Sequence, residues 1–197
     1  VAPSYFFVDI QKSQMPEFRE ILARQIGVSQ VDEAPMLRGI ITKINGENAK
    51  IVAGDHWVLQ GDRGVTYSET PRNSADITEG SWWPKGYNGP PQISFSAQAG
   101  AEMGLKLGDE MTVNIIGRDI TGTITSFRTV DFSTAGIGFV LAMNPSALDA
   151  APHSFIATVY ADSASEAQIL RSIASVFPNI TAIPVRDVIG RVVVLLG

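Results

Sequence analysis

Ser4-Tyr5-Phe6-Phe7-Val8-Asp9-Ile10 opens the chain with the composition of a buried strand. Beyond Ser13, the apolar residues Met15, Phe18, Ile21 and Leu22 fall at helical spacing. The same order returns near the other end, from Ser154 to Phe177. Phe155-Ile156-Ala157-Thr158-Val159-Tyr160 is rich in β-branched and aromatic residues, which favour a pleated, half-buried strand. Ser163-Ala164-Ser165-Glu166 has the spacing of a capping box, in which Ser163 and Glu166 would satisfy two free amides at a helix start. Ile169, Leu170, Ile173, Val176 and Phe177 then line one side of the predicted helix. A strand-helix unit cannot bury its apolar face alone. The two copies are therefore expected to share one sheet, with both helices on one side and the middle of the chain as an insertion.

The totals bound the class of molecule. At 197 residues the chain suits one large domain or two smaller subdomains with a substantial core. A hydrophobic share of 45% against 18% charged is the composition of a folded protein rather than of a disordered one. Fifteen basic against twenty acidic residues leave a net charge of −5, so there is no basic footprint for nucleic acid. The absence of cysteine excludes disulfides, thiol nucleophiles and zinc–thiolate sites, and fits an oxidising compartment. No run reaches the roughly 18 to 20 apolar residues of a membrane span. The sequence opens at Val1 without an initiating Met and closes on the apolar run Val192 to Leu196. This is read as a fragment of a longer polypeptide whose hydrophobic segment continues past Gly197, with a C-terminal core strand or helix as the alternative.

Between the two copies, Gly27 is expected to leave the first helix through a left-handed turn. Met36 to Ile44 reads as a strand and Asn45-Gly46 as a tight turn. Residues 47–64 read as a loop or short excursion, and Gly64 to Ser68 as a further strand broken by Pro71-Arg72-Asn73-Ser74. From Ala75 to Ala150 the grain changes. A Gly/Pro-rich loop (85–91) precedes a short strand, Ile93 to Phe95, and a short helix, Ala97 to Met103. Three alternating runs follow, Met111 to Ile116, Ile120 to Val130 and Gly138 to Met143, the first two joined by a hairpin at Gly117-Arg118-Asp119. Asn144 to Leu148 reads as one turn of helix, and Ile180 to Pro184 as the closing strand of the second copy. Val185, Val188, Ile189, Val192 and Leu196 recur at helical spacing and suit a helix heading towards a membrane. The expected fold class is α+β and bipartite: residues 1–74 and 151–197 form one α+β subdomain, and 75–150 an inserted, mostly antiparallel β subdomain.

Chemistry-bearing patterns are sparse. His56 and His153 have no partner at metal-ligand spacing. There is no G-x-S-x-G elbow, dinucleotide fingerprint or P-loop. Asp76, Glu79, Glu102, Asp109 and Glu110 are explained more simply as turn formers, helix-face residues and strand ends than as an acid–base set. No catalytic, cofactor-binding or metal-binding residue is therefore assigned. The most suggestive group is Trp82, Trp83 and Tyr87 beside Pro84, Pro90 and Pro91, a candidate surface for a partner or substrate because indole rings are amphipathic. The alternative is that one tryptophan plugs the junction between subdomains while the other lies exposed.

Five segments in order then carry a resemblance. They are Ala2 to Gln11, Ile77-Thr78-Glu79-Gly80-Ser81-Trp82-Trp83-Pro84, Gly104-Leu105-Lys106-Leu107-Gly108-Asp109 ahead of a strand, Ser126 to Phe132, and Val185-Arg186-Asp187-Val188-Ile189. Together they resemble the large extracytoplasmic domain of ABC-transporter permeases of the FtsX/MacB/LolC-LolE superfamily, nearest to the YbbP-like branch. The resemblance implies a porter-like βαβ/βαβ (ferredoxin-like) part built from both chain ends, with an inserted sabre-like β part. It implies a bacterial inner-membrane protein with this domain facing the periplasm or extracellular side and membrane helices at both ends. It implies a cytoplasmic ABC ATPase subunit and a periplasmic partner protein. It implies non-enzymatic mechanotransmission and docking in the export or extraction of hydrophobic compounds or lipids. No catalytic residues carry over. The other function classes are a small-molecule-binding regulatory module, secreted or membrane-anchored, and lastly a hydrolase.

Overall fold

The structure, a computed structural model, describes residues 2–130 and 137–185. In chain order its elements are β1 (Tyr5–Ile10), α1 (Met15–Ala23), β2 (Val28–Ile44), β3 (Glu47–Asn48), α2 (Ala49–Ala53), β4 (Arg63–Tyr67), β5 (Ile77–Gly80), β6 (Gln92–Ser96), α3 (Ala97–Met103), β7 (Glu110–Ile115), β8 (Arg118–Arg128), β9 (Leu141–Met143), α4 (Pro145–Leu148), β10 (Ser154–Ala161), α5 (Glu166–Ala174) and β11 (Thr181–Pro184). Strands dominate and the helices are short, consistent with the α+β expectation. Val1, Phe132 and everything expected of the C-terminal helix beyond Val185 lie outside the described residues.

Two compact units emerge. The first takes residues 2–36, 137 and 153–185, the second 37–130 and 138–152. The units change over within β2, at residues 36–37.

In the first unit the strands lie in the order β11-β1-β10-β2, each antiparallel to its neighbour. Tyr5, Phe7 and Ile10 of β1 and Ala157 and Val159 of β10 share one buried cluster with Phe18 and Leu22 of α1 and Ile169 and Ile173 of α5. Both helices thus cover one face, as the repeated strand-helix pattern requires. The Phe7 ring meets Phe18 edge-on at 5.5 Å, and the Tyr5 hydroxyl donates to the Glu166 carbonyl at 3.0 Å. Each such fully buried aromatic contributes about 1.5 to 3 kcal/mol from area alone.

Local details of this unit correct the sequence reading. Leu170 and Val176 are exposed, because α5 stops at Ala174 and its buried stripe is confined to Ile169 and Ile173. Where a capping box was expected, a 3-10 turn, Ser163–Ser165, precedes α5, with the Glu166 N–H donating to the Ser163 carbonyl and the Ser165 N–H to the Asp162 carbonyl at 2.9 Å. Gly27 does not adopt the left-handed conformation. It is small because an added Cβ would lie 1.9 Å from Ser165 Oγ, so close approach rather than a turn demands glycine there. β2 begins eight residues before the expected Met36, and its first stretch pairs with β10 from Val28 to Met36. Polar residues 29, 30, 32 and 33 and Pro35 masked it; proline is tolerated in a strand at a sheet edge.

The second unit is a closed circuit of six strands. Its portion of β2 pairs antiparallel with β4, β4 parallel with β9, β9 antiparallel with β6, β6 parallel with β8, β8 antiparallel with β7, and β7 antiparallel with β2 again. β3 and β5 attach to β2 and β8. Leu37, Val65, Ile93, Phe95, Met111, Val113, Ile124 and Leu141 are buried in this unit. Gly39 fits where an added Cβ would sit 2.8 Å from Val113 Cγ1, and Gly100 lets α3 approach Phe127 of β8.

Four of the six links are antiparallel, while the two parallel links and the closure join strands far apart in sequence. The presumed loop 47–64 contains β3, α2 and a 3-10 turn, Trp57–Leu59. The second hairpin turns at Ile116-Gly117, one residue earlier than read, with Ile115 opposite Arg118. Like Asn45-Gly46, both its central residues have positive φ, the signature of a two-residue type I′ turn.

Candidate docking surface

The loop after β5 returns towards the end of β4, and its aromatic side chains are held by backbone acceptors. Trp83 is buried and donates its indole N–H to the Ser68 carbonyl at 2.9 Å. Trp82 is half-buried and donates to the next carbonyl, Glu69, at 3.1 Å. The two indoles lie 4.1 Å apart between centroids, tilted by 37°. The Glu69 carboxylate in turn accepts the Gly86 N–H.

Tyr87 folds back over Gly89 and donates its hydroxyl to the Pro90 carbonyl at 2.6 Å. A Cβ on Gly89 would stand 2.7 Å from Tyr87 Oη, so a side chain there would have to push the Tyr87 ring aside. The Ser146 hydroxyl donates to the Tyr87 carbonyl at 3.1 Å, and Asn144 accepts the Gln92 N–H at 2.8 Å, so α4 anchors the far end of the loop. The segment is thus pre-ordered. Trp83 acts as its root, while Trp82 and Tyr87 keep part of their surface accessible. Leu107, exposed, reaches the same neighbourhood: its Cδ2 is 3.1 Å from the position a Cβ on Gly80 would occupy. A rigid patch of half-exposed aromatic and aliphatic surface can be covered by a partner at little entropic cost.

The remaining candidates have structural tasks. His56 Nδ1 accepts the Val58 N–H at 3.2 Å, which leaves Nε2 as the protonated nitrogen facing Glu102 Oε1 at 2.7 Å. The hydrogen bond from His56 holds the Glu102 carboxyl below the usual carboxylate range. Asp109 accepts from Asn45 Nδ2 at 3.1 Å and from the Lys106 N–H at 2.9 Å. The Glu110 N–H donates to Asn45 Oδ1 at 2.8 Å, so Asn45 ties the first hairpin to the start of β7. Asp76 closes a 3-10 turn, its carbonyl accepting Thr129 N–H at 2.8 Å, and Glu79 is exposed on β5. The His153 ring lies 5.5 Å from that of Phe155. Among the described residues no three His, Asp or Glu side chains converge as a metal site.

Sequence reasoning missed a buried polar group in the closed circuit. The Ser126 and Ser94 hydroxyls bond at 2.8 Å, and Arg128 turns its guanidinium onto the Ser94 carbonyl at 2.6 Å and the Phe139 carbonyl. Burial pulls the Arg128 guanidinium down to about 10, against a partial opposing effect of Asp76. Its place in the alternating run Ile120 to Val130 is the signal that could have marked it, a cation at an otherwise strand-like position.

No family model matches the chain. The class of protein to which it is distantly related is the ABC transporter permease. One such relative is the uncharacterized ABC transporter permease YbbP of Escherichia coli K12, 22% identical over 191 residues that take in 97% of this chain. The chain spans only 23% of that relative's length. Among the described residues no helix is long and apolar enough to cross a membrane.

Proposed function

We propose that this chain is the extracytoplasmic domain of an ABC-transporter permease in a bacterial inner membrane, joined to membrane segments at both ends. In this proposal it performs no chemistry of its own. It passes movement generated by a cytoplasmic ABC ATPase to a hydrophobic compound or lipid, or to a periplasmic partner, that docks on the Trp82, Trp83 and Tyr87 surface. The alignment with a permease along nearly the whole chain carries the proposal.

Two features support it. The order β11-β1-β10-β2, with a helix after β1 and after β10, is that of a ferredoxin-like sheet and suits a porter-like part. The closed second unit would be the sabre-like part. Ser4 and Val185 also lie side by side, the Val185 N–H donating to the Ser4 carbonyl at 3.1 Å, which suits a domain inserted between two membrane segments.

The test uses the full permease with its ATPase in vesicles, comparing wild type with Trp82→Ala and with Leu107→Ser. Transfer of a fluorescent lipid to an acceptor should fall several-fold while ATP hydrolysis persists. Unchanged transfer in both variants would remove the docking role, and saturable hydrolysis of ester substrates by the isolated domain would remove the non-enzymatic one.

A further inference from the structure

Ile26 stands out among the described apolar side chains. It is 103% exposed, as open as an isoleucine in an extended chain. It sits at the apex of the turn between α1 and β2, and that turn is well held. The Gln25 N–H donates to the Leu22 carbonyl at 3.0 Å, the Val28 N–H to the Gln25 carbonyl at 3.2 Å, and the Asp162 N–H to the Gly27 carbonyl at 3.0 Å. Gln25 is tied further to the Ser172 hydroxyl at 3.3 Å. Gly27 is packed so closely on Ser165 that no Cβ fits. The backbone therefore holds an isoleucine outward instead of letting it fold onto the core.

The end of the sheet at which this happens is informative. Ala161 lies opposite Val28, Tyr5 lies opposite both Val159 and Pro184, and Ser4 bonds Val159 and Val185 through its backbone. The place where the chain enters β1, the place where it leaves β11 and the Ile26 turn thus share one end of the first unit. The neighbouring turn there exposes Asp162, Ser163 and Ala164.

We infer that Ile26 is a membrane contact, seated among the lipid headgroups and upper acyl chains at the end of the domain from which both membrane connections emerge. The inference rests on the permease proposal, because only membrane segments before β1 and after β11 bring this end to a bilayer. A lipid surface suits the site better than a protein. One apolar apex between Gln25 and Gly27, the latter bonded to Asp162, is far smaller than the roughly 1,200 Å² of a stable protein interface. A tethered domain, by contrast, needs little affinity to hold an apolar residue at the interface. Arg24 is paired with Glu20, and Asp162 adds a further negative charge, so the contact is apolar and does not depend on anionic lipid.

The test places one label at a time in the full permease. This domain has no cysteine, so Ile26→Cys is unique in it once native cysteines elsewhere are replaced. Val176→Cys is the control. It is also exposed, but follows α5 at the opposite end of the same unit, where Asn179 Nδ2 donates to the Asp9 carbonyl at 3.0 Å. In phosphatidylcholine vesicles a nitroxide-bearing lipid should quench a fluorophore at position 26 several-fold more than one at 176, with iodide showing the reverse order. Equal lipid quenching at the two sites, or a label at 26 shielded from both quenchers, would overturn the membrane contact. If alkaline extraction strips the parent chain from membranes, the permease proposal itself fails. If the chain stays embedded and active while position 26 reports only water, this inference alone fails.

Discussion

The two units bury apolar strands by opposite means. The first is an open four-stranded sheet that hides one face under two helices, and its cluster is built from large side chains such as Phe7, Phe18 and Phe177. The second closes six strands on themselves, which removes most free edges, and its strands and α3 approach closely at Gly39 and Gly100, as the turn at Gly27 does in the first. Lost volume is therefore expected to tell most at the aromatic cluster of the first unit, and added volume at Gly39 in the second.

The sharpest way to break that contrast is Phe18→Ala. It should cost about 3 to 5 kcal/mol in denaturant unfolding. Amide exchange should rise in β1 and β10 and stay unchanged in β6 and β8; equal acceleration in all four strands would mean that the two units do not differ in this respect. Next comes Gly39→Ala, whose methyl meets Val113, Ile115 and Val65 and should destabilise by about 1 to 3 kcal/mol. A neutral result would show that the circuit has slack.

Ile116→Asn should act in the other direction. Ile116 is a β-branched residue at φ +50° and 64% exposed, so asparagine relieves backbone strain with little loss of burial. A gain of about 1 kcal/mol in the same unfolding assay is expected.

The smallest effect concerns acid. Asp62 is held below its usual range by the hydrogen bond from Arg38, and Glu102 by that from His56. Both therefore stabilise the fold above the ordinary carboxyl pKa of about 4, and that contribution is lost as pH falls through their lower folded values. An Asp62→Asn/Glu102→Gln double variant should show a shallower loss of melting temperature between about pH 5 and 3 than wild type. Both groups are surface-exposed, so the difference will be modest.

Short-range signals were enough for much of the first unit. Strand β1 with the Met15, Phe18 and Leu22 stripe, and β10 with Ile169 and Ile173, announce themselves by alternation and helical spacing, because each pattern reflects burial of one face of a single element. The edge strand before Met36 stayed hidden, since a strand paired on one edge needs few apolar residues. Of the candidate surface, the aromatic composition was visible but not its division of labour. Trp83 became the root and Trp82 the accessible ring only through the Ser68 and Glu69 carbonyls, which lie some fifteen residues away.

By itself, then, the sequence determined the α+β class, the pairing of the two chain ends, the tight Asn45-Gly46 turn and the aromatic group. Local backbone preference and one-sided burial are properties of neighbouring residues. Only the tertiary structure decided the parallel links β4–β9 and β6–β8, the closure of the circuit, the meeting of His56 with Glu102 and the outward hold on Ile26. Each of these depends on which distant segment arrives opposite a given residue, and that is settled by packing the whole unit at once.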